Sequence, residues 1–402
     1  MYKILLSIML LMSSSLYAQD WEQKADAPAG RHHPISFSID GKGYAVTGTG
    51  FDGEPSNEFF QYDPVADNWS TLNDFPGPKR SFGIGVVNND VAYLGFGASL
   101  SQYLNDFWKY DPATATWTQL ASCACSGRRH PAMLTIGNRI YLGLGDDAVG
   151  DLKDWWMYDI NSNSWAQIAD LPGPPRHHPF MFNADGDVFV GFGHRGNIRY
   201  RDWYKLDTVS NVWNAMGIFP GEGRVAGTQL GNGKYGYVIS GDGDNHSYME
   251  TGEMWRYDPS DDSWTELPPH PGISRWAPGS FVIENNVYFF GGLNRQTGTF
   301  PNDLWKFELE DEMVDTSSTS IQQNLSLANT FIYPNPTNDI LMWEIDQKIT
   351  DIKIFNALGK LVISASAITK QVDVKNLNDG LYLVLFYAED QAVKTTKLYV
   401  NH

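Results

Sequence analysis

The chain has 402 residues, is rich in aromatic residues and glycine, and carries a formal net charge of −18. A surface this acidic disfavours nucleic acid or an anionic membrane as the main partner, because both are bound through clustered Lys and Arg side chains. An anionic ligand would have to meet a local basic patch.

The first 18 residues predict a cleaved export signal. Lys3 precedes an apolar run from Ile4 to Met12, and a small-residue cleavage pattern ends at Ala18. The run is too short to span a membrane. No later segment has the length and apolarity of a membrane-spanning helix, so we expect an exported chain without a membrane span.

Residues 19–309 carry an internal repeat whose clearest marker is a tryptophan. Six tryptophans follow one another at spacings of 48 or 51 residues: Trp21, Trp69, Trp117, Trp165, Trp213 and Trp264. Each repeat also has an arginine at a fixed place: Arg31, Arg80, Arg128, Arg176, Arg224 and Arg275. Seventeen residues after each arginine stands a glycine: Gly48, Gly97, Gly145, Gly193, Gly241 and Gly292. A repeat of about 40 to 50 residues with regularly placed aromatics and glycines predicts the blades of a propeller.

Each repeat predicts four short antiparallel strands. Runs of aromatic and β-branched residues alternate with turn sequences such as Asp40-Gly41. The third run of every repeat contains an acidic residue two positions before an aromatic: Glu58, Asp106, Asp154, Asp202, Glu253 and Asp303. Six such sheets around an axis make a six-bladed, all-β propeller. Because the sixth repeat lacks a fourth strand, we expect the segment around Trp21 to complete it beside Trp305 and to close the ring.

This spacing resembles the kelch repeat family from residue 20 to about residue 310. The family's paired glycines are present literally only at Gly291-Gly292. The first of the pair is replaced in the other five repeats by Thr47, Phe96, Leu144, Phe192 and Ser240. The resemblance implies the propeller fold without indicating a subfamily.

The chain has two cysteines, Cys123 and Cys125. A bridge across one intervening residue would be strained relative to ordinary disulfide geometry. We therefore expect ordinary loop thiols, with redox or metal chemistry as the alternative.

Residues 310–330 are rich in Glu, Asp, Ser, Thr and Gln, which predicts a solvated linker. Residues 331–402 alternate apolar runs with turn residues, which predicts a small immunoglobulin-like β-sandwich. This tail resembles the type A sorting domain of the type IX secretion system of Bacteroidota. The residues that match the sorting signal are Pro334, Asn335, Pro336, Gly359, Gly380 and Lys397. The resemblance implies the type IX machinery as a partner and a secreted or outer-membrane surface location.

The arginines and the loops that follow the glycines are expected to share one face of the propeller, near the central channel. Strict repetition of arginine and acid favours structural ion pairs. The position two residues after the arginine varies, however, and is occupied by His33, Phe82, His130, His178, Ala226 and Ala277. Our candidate ligand-binding residues on this face are Arg31, His33, Arg128, His130, Arg176, His178, His194, Arg195, Arg224, Arg275, Trp276 and Arg295. Such a basic and imidazole-rich face favours a carboxylate, phosphate, sulfate or acidic sugar, and the alternative is solvated loop residues.

Three of these histidines, His33, His130 and His178, could ligate zinc or copper if they met. Because blade 1 is not adjacent to blades 3 and 4, we expect them not to converge, and we predict no metal and no cofactor. The segment 242–245 is too short for a calcium loop. The chain also has no Tyr-His copper pair like that of galactose oxidase, which shares the kelch architecture.

Two functions follow from these features. The chain lacks a Walker loop, a nucleophile elbow and a His-Glu-x-x-His motif. The first hypothesis is therefore a binding module that presents the Arg/His face to an anionic glycan, peptide or protein segment. The second is an enzyme that resembles the six-bladed kelch sialic acid mutarotases, in which a channel arginine and a carboxylate manage ring opening of N-acetylneuraminate. The sequence does not separate a binding module from an enzyme.

Overall fold

The computed structural model describes residues 20–208, 210–309, 330–334, 337–345, 349–356, 360–366, 369–388 and 391–401. The predicted signal peptide, the linker and the sorting residues Asn335, Pro336 and Gly359 lie outside these ranges. The described residues form strands and no α-helix, which confirms the prediction of an all-β chain. The chain divides into two compact units, Met1–Glu310 and Asp311–His402.

The first unit contains six four-stranded antiparallel sheets, here numbered blades 1 to 6 in chain order. The first strands are Ile35–Ile39, Ile84–Asn88, Ala132–Ile136, Phe180–Ala184, Thr228–Gly231 and Gly279–Ile283. The second strands are Lys42–Val46, Val91–Gly95, Arg139–Gly143, Asp187–Gly191, Gly236–Ile239 and Asn286–Phe290. The third strands are Phe59–Asp63, Phe107–Asp111, Trp155–Asp159, Trp203–Asp207, Gly252–Asp258 and Leu304–Glu308. The fourth strands are Asn68–Thr71, Thr116–Leu120, Ser164–Ile168, Val212–Ala215, Ser263–His270 and, for blade 6, Glu22–Lys24.

The sheets follow one another around a closed ring. The first strand of each blade packs against the first strands of both neighbouring blades, and that of blade 6 packs against that of blade 1. The ends of the unit meet in blade 6, where Gln23 pairs with Trp305. Trp21 lies immediately before this strand and packs 5.1 Å from the ring of Phe307. The prediction that the N-terminal segment completes the last blade is therefore confirmed.

The repeated tryptophans pack between blades. Trp117 of blade 2 contacts Phe59 of blade 1, and Trp165 of blade 3 contacts Phe107 of blade 2. Trp69 of blade 1 likewise lies against Phe290 of blade 6. Each of these large side chains fills the wedge between two twisted sheets, which explains why the sequence marks it at a constant spacing.

The glycine replacements keep the backbone of the kelch pair. Thr47, Phe96, Leu144, Phe192 and Ser240 all have positive φ angles, between 55° and 63°. The glycine that follows also has a positive φ, and a side chain at Gly97 would meet the carbonyl oxygen of Ser81. The first position of the pair tolerates a side chain in the left-handed region, whereas the second has no room for one.

Cys123 and Cys125 form a disulfide, so the expectation of free thiols was wrong. The loop bends between them and brings their Cα atoms to 5.1 Å, which is within the ordinary range for a bridge. Both residues are buried in the core between blades 2 and 3.

The second unit contains two antiparallel sheets. One has three strands in the order Thr330–Tyr333, Ile340–Ile345 and Gln371–Asp373. The other has four strands in the order Leu361–Ser366, Asp351–Asn356, Gly380–Ala388 and Gln391–Val400. The two sheets share one core, in which Trp343 lies against Phe386. Of the sorting residues, Gly380 begins a strand, Lys397 lies within the last strand, and Pro334 follows the first.

Among the described residues, no helix is long and apolar enough to cross a membrane.

Candidate functional site

The repeated arginines are buried in ion pairs. In blade 2, Arg80 is fully buried and donates to both carboxylate oxygens of Asp106, at 2.8 and 2.6 Å, and to the carbonyl oxygen of Phe96 at 3.1 Å. The corresponding acids also accept from the other arginines: Arg31–Glu58, Arg128–Asp154, Arg176–Asp202, Arg224–Glu253 and Arg275–Asp303. Each ion pair ties the start of one blade to its third strand. None of these six arginines lines the central cavity or the groove described below.

The loops at this end of the propeller share a constant backbone. The residue after each arginine forms a short antiparallel bridge with the residue after each repeated glycine. The bridges are His32–Thr49, Ser81–Ala98, Arg129–Asp146, His177–His194, Val225–Asp242 and Trp276–Leu293. The backbone is repeated while the side chains differ from blade to blade. Six further residues follow the first residue of each bridge: His33, Phe82, His130, His178, Ala226 and Ala277. We call the surface made by these six residues and the twelve bridge residues the histidine face.

The second residue after each arginine lies at the channel. His33, Phe82, His130, His178, Ala226 and Ala277 all have φ angles between 51° and 63° and together line a central cavity of about 150 Å³. The amide of His33 donates to the carbonyl of Ala277, and that of His130 donates to the carbonyl of Phe82. These bonds link neighbouring blades. The three histidines therefore point into one narrow space.

His33, His130 and His178 converge, so the expectation that blade 1 is too far from blades 3 and 4 was wrong. The Nε2 atoms of His33 and His178 are 3.2 Å apart, and the rings of His130 and His178 lie 3.6 Å apart between centroids. One ring nitrogen from each of the three lies within 4.8 Å of the others. Blades 1, 3 and 4 are not all adjacent, but the channel at this level is narrow enough for their side chains to reach across it.

Two histidines of the face are oriented by carboxylates. Nδ1 of His130 lies 3.0 Å from Asp146, and Nδ1 of His177 lies 2.5 Å from Asp151. Burial lowers the pKa of His130 to about 4 although Asp146 opposes the shift. Burial also lowers the pKa of His32 to about 4 and that of His194 to about 3. These imidazoles are consequently neutral at pH 7.

A groove of about 960 Å³ opens on the same face across blades 6, 1, 2 and 3. Its aromatic and polar walls include His32, Phe82, Tyr103, Arg129 and Trp276. The guanidinium of Arg129 lies over the rings of Tyr103 and Phe82, at 4.9 and 5.6 Å. The side chain of Arg129 is 34% exposed while that of its partner Asp146 is 10% exposed. The accessible end of this ion pair is therefore cationic.

Three further predicted residues, His194, Arg195 and Arg295, do not line the groove. His194 and Arg195 form one strand of a two-stranded ribbon, and Ile198–Arg199 forms the other. Arg195 is exposed. Arg295 stacks over Trp276 at 5.0 Å and lies 3.2 Å from Asp242. Burial raises the pKa of Asp242 to about 6 against the opposing effect of Arg295 and Arg199.

Sequence reasoning missed several residues on and beside the histidine face. It omitted Arg129, His177, Asp146 and Asp151 from the candidate site, and it did not consider Tyr103. The usable signal was the variation between repeats immediately after the arginine and immediately after the glycine. Both positions are constant in backbone and variable in side chain, so they mark side chains whose identity the fold does not require.

Comparisons with known proteins agree with this architecture. Residues 331–401 match the secretion system C-terminal sorting domain, and residues 95–124 match the kelch motif. The sorting domain indicates export to the cell surface or the surroundings. The chain is also similar to "Ulvan lyase NLR42" of Nonlabens ulvanivorans, with 31% identity over 104 residues. That match covers 25% of this chain and 18% of the relative, so the chain spans less than a fifth of the relative's length.

Proposed function

From the kelch propeller and the sorting tail, we propose that this exported protein binds an acidic glycan in the groove of the histidine face. The observation that carries the proposal is the lining of the groove, which combines aromatic rings with one accessible guanidinium. Phe82, Tyr103 and Trp276 provide apolar surfaces, and Arg129 and His32 provide polar groups between them. Carbohydrate sites need both, because sugars present apolar faces and polar edges.

The charged side chains on and beside the histidine face favour an anionic ligand. The whole chain has a net charge of −18, so an anion is repelled by most of its surface. Arg129 lies on the histidine face, and Arg195 and Arg295 lie in loops beside it. Arg129 and Arg295 are held over aromatic rings. Arg129 donates from Nε and Nη2 to Asp146, which leaves its Nη1 group to donate to a carboxylate or sulfate oxygen of the ligand.

The named relative supports the glycan class. Its name assigns it a lyase activity on ulvan, and the match with this chain is short. We take from it the substrate class and not the reaction. A peptide or protein segment with acidic side chains would meet the same groove, and the experiment below distinguishes it from a glycan.

No specific observation favours the mutarotase alternative. The arginine and carboxylate that it would use in the channel are, in each blade, held in the buried ion pairs described above. The anomerisation of N-acetylneuraminate followed by NMR tests this alternative directly, and we expect the purified chain to leave the rate at its buffer value.

Isothermal titration with defined oligosaccharides tests the proposed function. The ligands are oligogalacturonates, sulfated oligosaccharides, their neutral counterparts, ulvan and an acidic peptide. We expect binding of an acidic glycan that weakens with added salt, because salt screens exposed charges. Trp276→Ala and Arg129→Gln should each weaken binding by about tenfold, corresponding to ~1.4 kcal/mol.

Arg139→Gln is the matched control, because Arg139 is an exposed arginine in the hairpin at the opposite end of blade 3. It should bind as the wild type does. Equal losses in Arg139→Gln and Arg129→Gln, or unchanged binding in Trp276→Ala, would place the ligand elsewhere. Binding of the acidic peptide in preference to every glycan would replace the glycan in the proposal by a protein segment.

A further inference from the structure

The three converging histidines have a spacing that metal ligands require. A tetrahedral zinc ion with Zn–N bonds of about 2.0–2.1 Å holds two ligand nitrogens about 3.3–3.4 Å apart. The Nε2 atoms of His33 and His178 are 3.2 Å apart. The third nitrogen comes from His130, within 4.8 Å of the other two.

Hydrogen bonding inside the protein leaves nitrogens in this cluster without partners. Nε2 of His130 and Nδ1 of His178 are buried and have no hydrogen-bond partner among the described residues. The hydrogen bond from Nδ1 of His130 to Asp146 needs a proton on Nδ1, so Nε2 of that neutral ring presents a bare lone pair. A buried lone pair without a donor is costly, and a cation at the centre of the cluster would meet it.

The surroundings of the cluster are those of a metal site. A carboxylate on the distal nitrogen of a ligating histidine fixes the ring and raises its basicity, and Asp146 stands in this relation to His130. Nδ1 of His33 has an imidazole partner instead of a carboxylate, and lies 2.7 Å from Nδ1 of His32. The adjoining cavity of about 150 Å³ has room for water at a fourth coordination position.

We propose that His33, His130 and His178 form a three-histidine site for a divalent transition metal, with zinc as the first candidate. Imidazole nitrogens select zinc, copper, cobalt or nickel over calcium and magnesium, which prefer oxygen. The site lies at the channel and does not depend on the glycan proposal, since the groove and the cluster share none of these three histidines.

A neighbouring set of histidines provides the alternative position for the ion. His177, His178 and His194 also bring one nitrogen each within 4.8 Å, and they share His178 with the proposed site. We favour the first set because it has the short Nε2–Nε2 contact and because all three of its histidines line the central cavity. His33 belongs only to the first set and His194 only to the second, so variants at these two positions separate them.

The protein itself indicates which substitution the fold tolerates. Ala226 and Ala277 occupy the equivalent position in blades 5 and 6 with φ angles of 52° and 51°, close to the 51° of His33. His33→Ala therefore introduces a residue that the same backbone already accepts. His246→Ala is the control, because His246 is a histidine near the same face that belongs to neither set.

The experiment uses the purified full chain without an affinity tag, treated with a chelator and titrated with Zn²⁺ and separately with Co²⁺, whose visible spectrum reports its coordination. We expect one ion per chain, with affinity lowered at least ~100-fold in His33→Ala and ~10–100-fold in Asp146→Asn. His246→Ala and His194→Ala should bind as the wild type does, and Ca²⁺ should not compete. A thermal melt shows whether each variant is folded.

Three results would overturn the proposal. They are the absence of stoichiometric Zn²⁺ or Co²⁺ binding to the wild type, unchanged binding in a folded His33→Ala, and loss of binding in His194→Ala alone. The last result would move the ion to the second set. Because no glycan is added, none of these results bears on the glycan proposal.

Discussion

Removal of one acid from the ring of ion pairs should show that the ring is structural. Arg80 is fully buried and receives its charge compensation from Asp106, whose side chain is only 15% exposed. The guanidinium makes two hydrogen bonds to Asp106 and one each to the carbonyls of Phe96 and Pro78. Asp106→Ala would leave a buried guanidinium with carbonyl partners alone. Breaking a buried pair in this way costs about 3–5 kcal/mol.

Another ion pair of the same ring provides a comparison for this loss of stability. In blade 1 the equivalent acid, Glu58, is 51% exposed, so water can replace it beside Arg31. We expect Glu58→Ala to cost about 1 kcal/mol, as a partly exposed ion pair does. At ~2 °C per kcal/mol for a unit of this size, Asp106→Ala should lower the melting temperature by about 6–10 °C and Glu58→Ala by about 2 °C.

Thermal unfolding followed by tryptophan fluorescence measures both variants in one assay. The double variant Arg80→Met/Asp106→Leu should lose less stability than Asp106→Ala, because it also removes the buried guanidinium that the single variant leaves without a carboxylate. A melting temperature of Asp106→Ala within 2 °C of the wild type would refute the structural account, as would equal losses in Asp106→Ala and Glu58→Ala.

Three further predictions test other parts of the molecule. The buried histidines have lowered pKa values, so the unfolded chain binds protons that the native chain does not. The free energy of unfolding should therefore fall as pH decreases from about 6.5 towards 4, by up to ~1.4 kcal/mol per pH unit per histidine. A series of thermal melts over this pH range should show a smaller fall in His130→Ala than in the wild type. Deletion of residues 20–24 removes the fourth strand of blade 6 and should lower the melting temperature by more than Trp21→Ala; an unchanged melt would contradict ring closure through this strand. Deletion of residues 331–402 should retain the protein inside the cell in fractionation and immunoblotting, and its continued appearance outside would contradict a sorting role.

The fold could be predicted from the sequence because its determinants are repeated. A tryptophan, an arginine, an acid and a glycine recur in each unit at nearly constant offsets, and each has one packing or pairing role that the structure shows. The place of Trp21 beside blade 6 followed from counting strands. The glycine replacements such as Thr47 were the part that repetition obscured, because the backbone conformation was kept while the residue changed.

The candidate site was less predictable because it depends on distances across the channel. The sequence identified His33, His130 and His178 as unusual but could not give the width of the channel, and the expected separation of the blades was wrong. The acids Asp146 and Asp151 were not recognised as partners of histidines, because they lie 16 and 26 residues from His130 and His177. The disulfide between Cys123 and Cys125 depended in the same way on a local bend.

A crystal structure of the full chain with an acidic oligosaccharide tests the central claim most directly. We predict electron density for the sugar in the groove, with a ring stacked on Trp276 or Tyr103 and an acidic group at the guanidinium of Arg129. Sugar density confined to the opposite end of the propeller, or to the second unit, would contradict the assignment of the histidine face as the binding site.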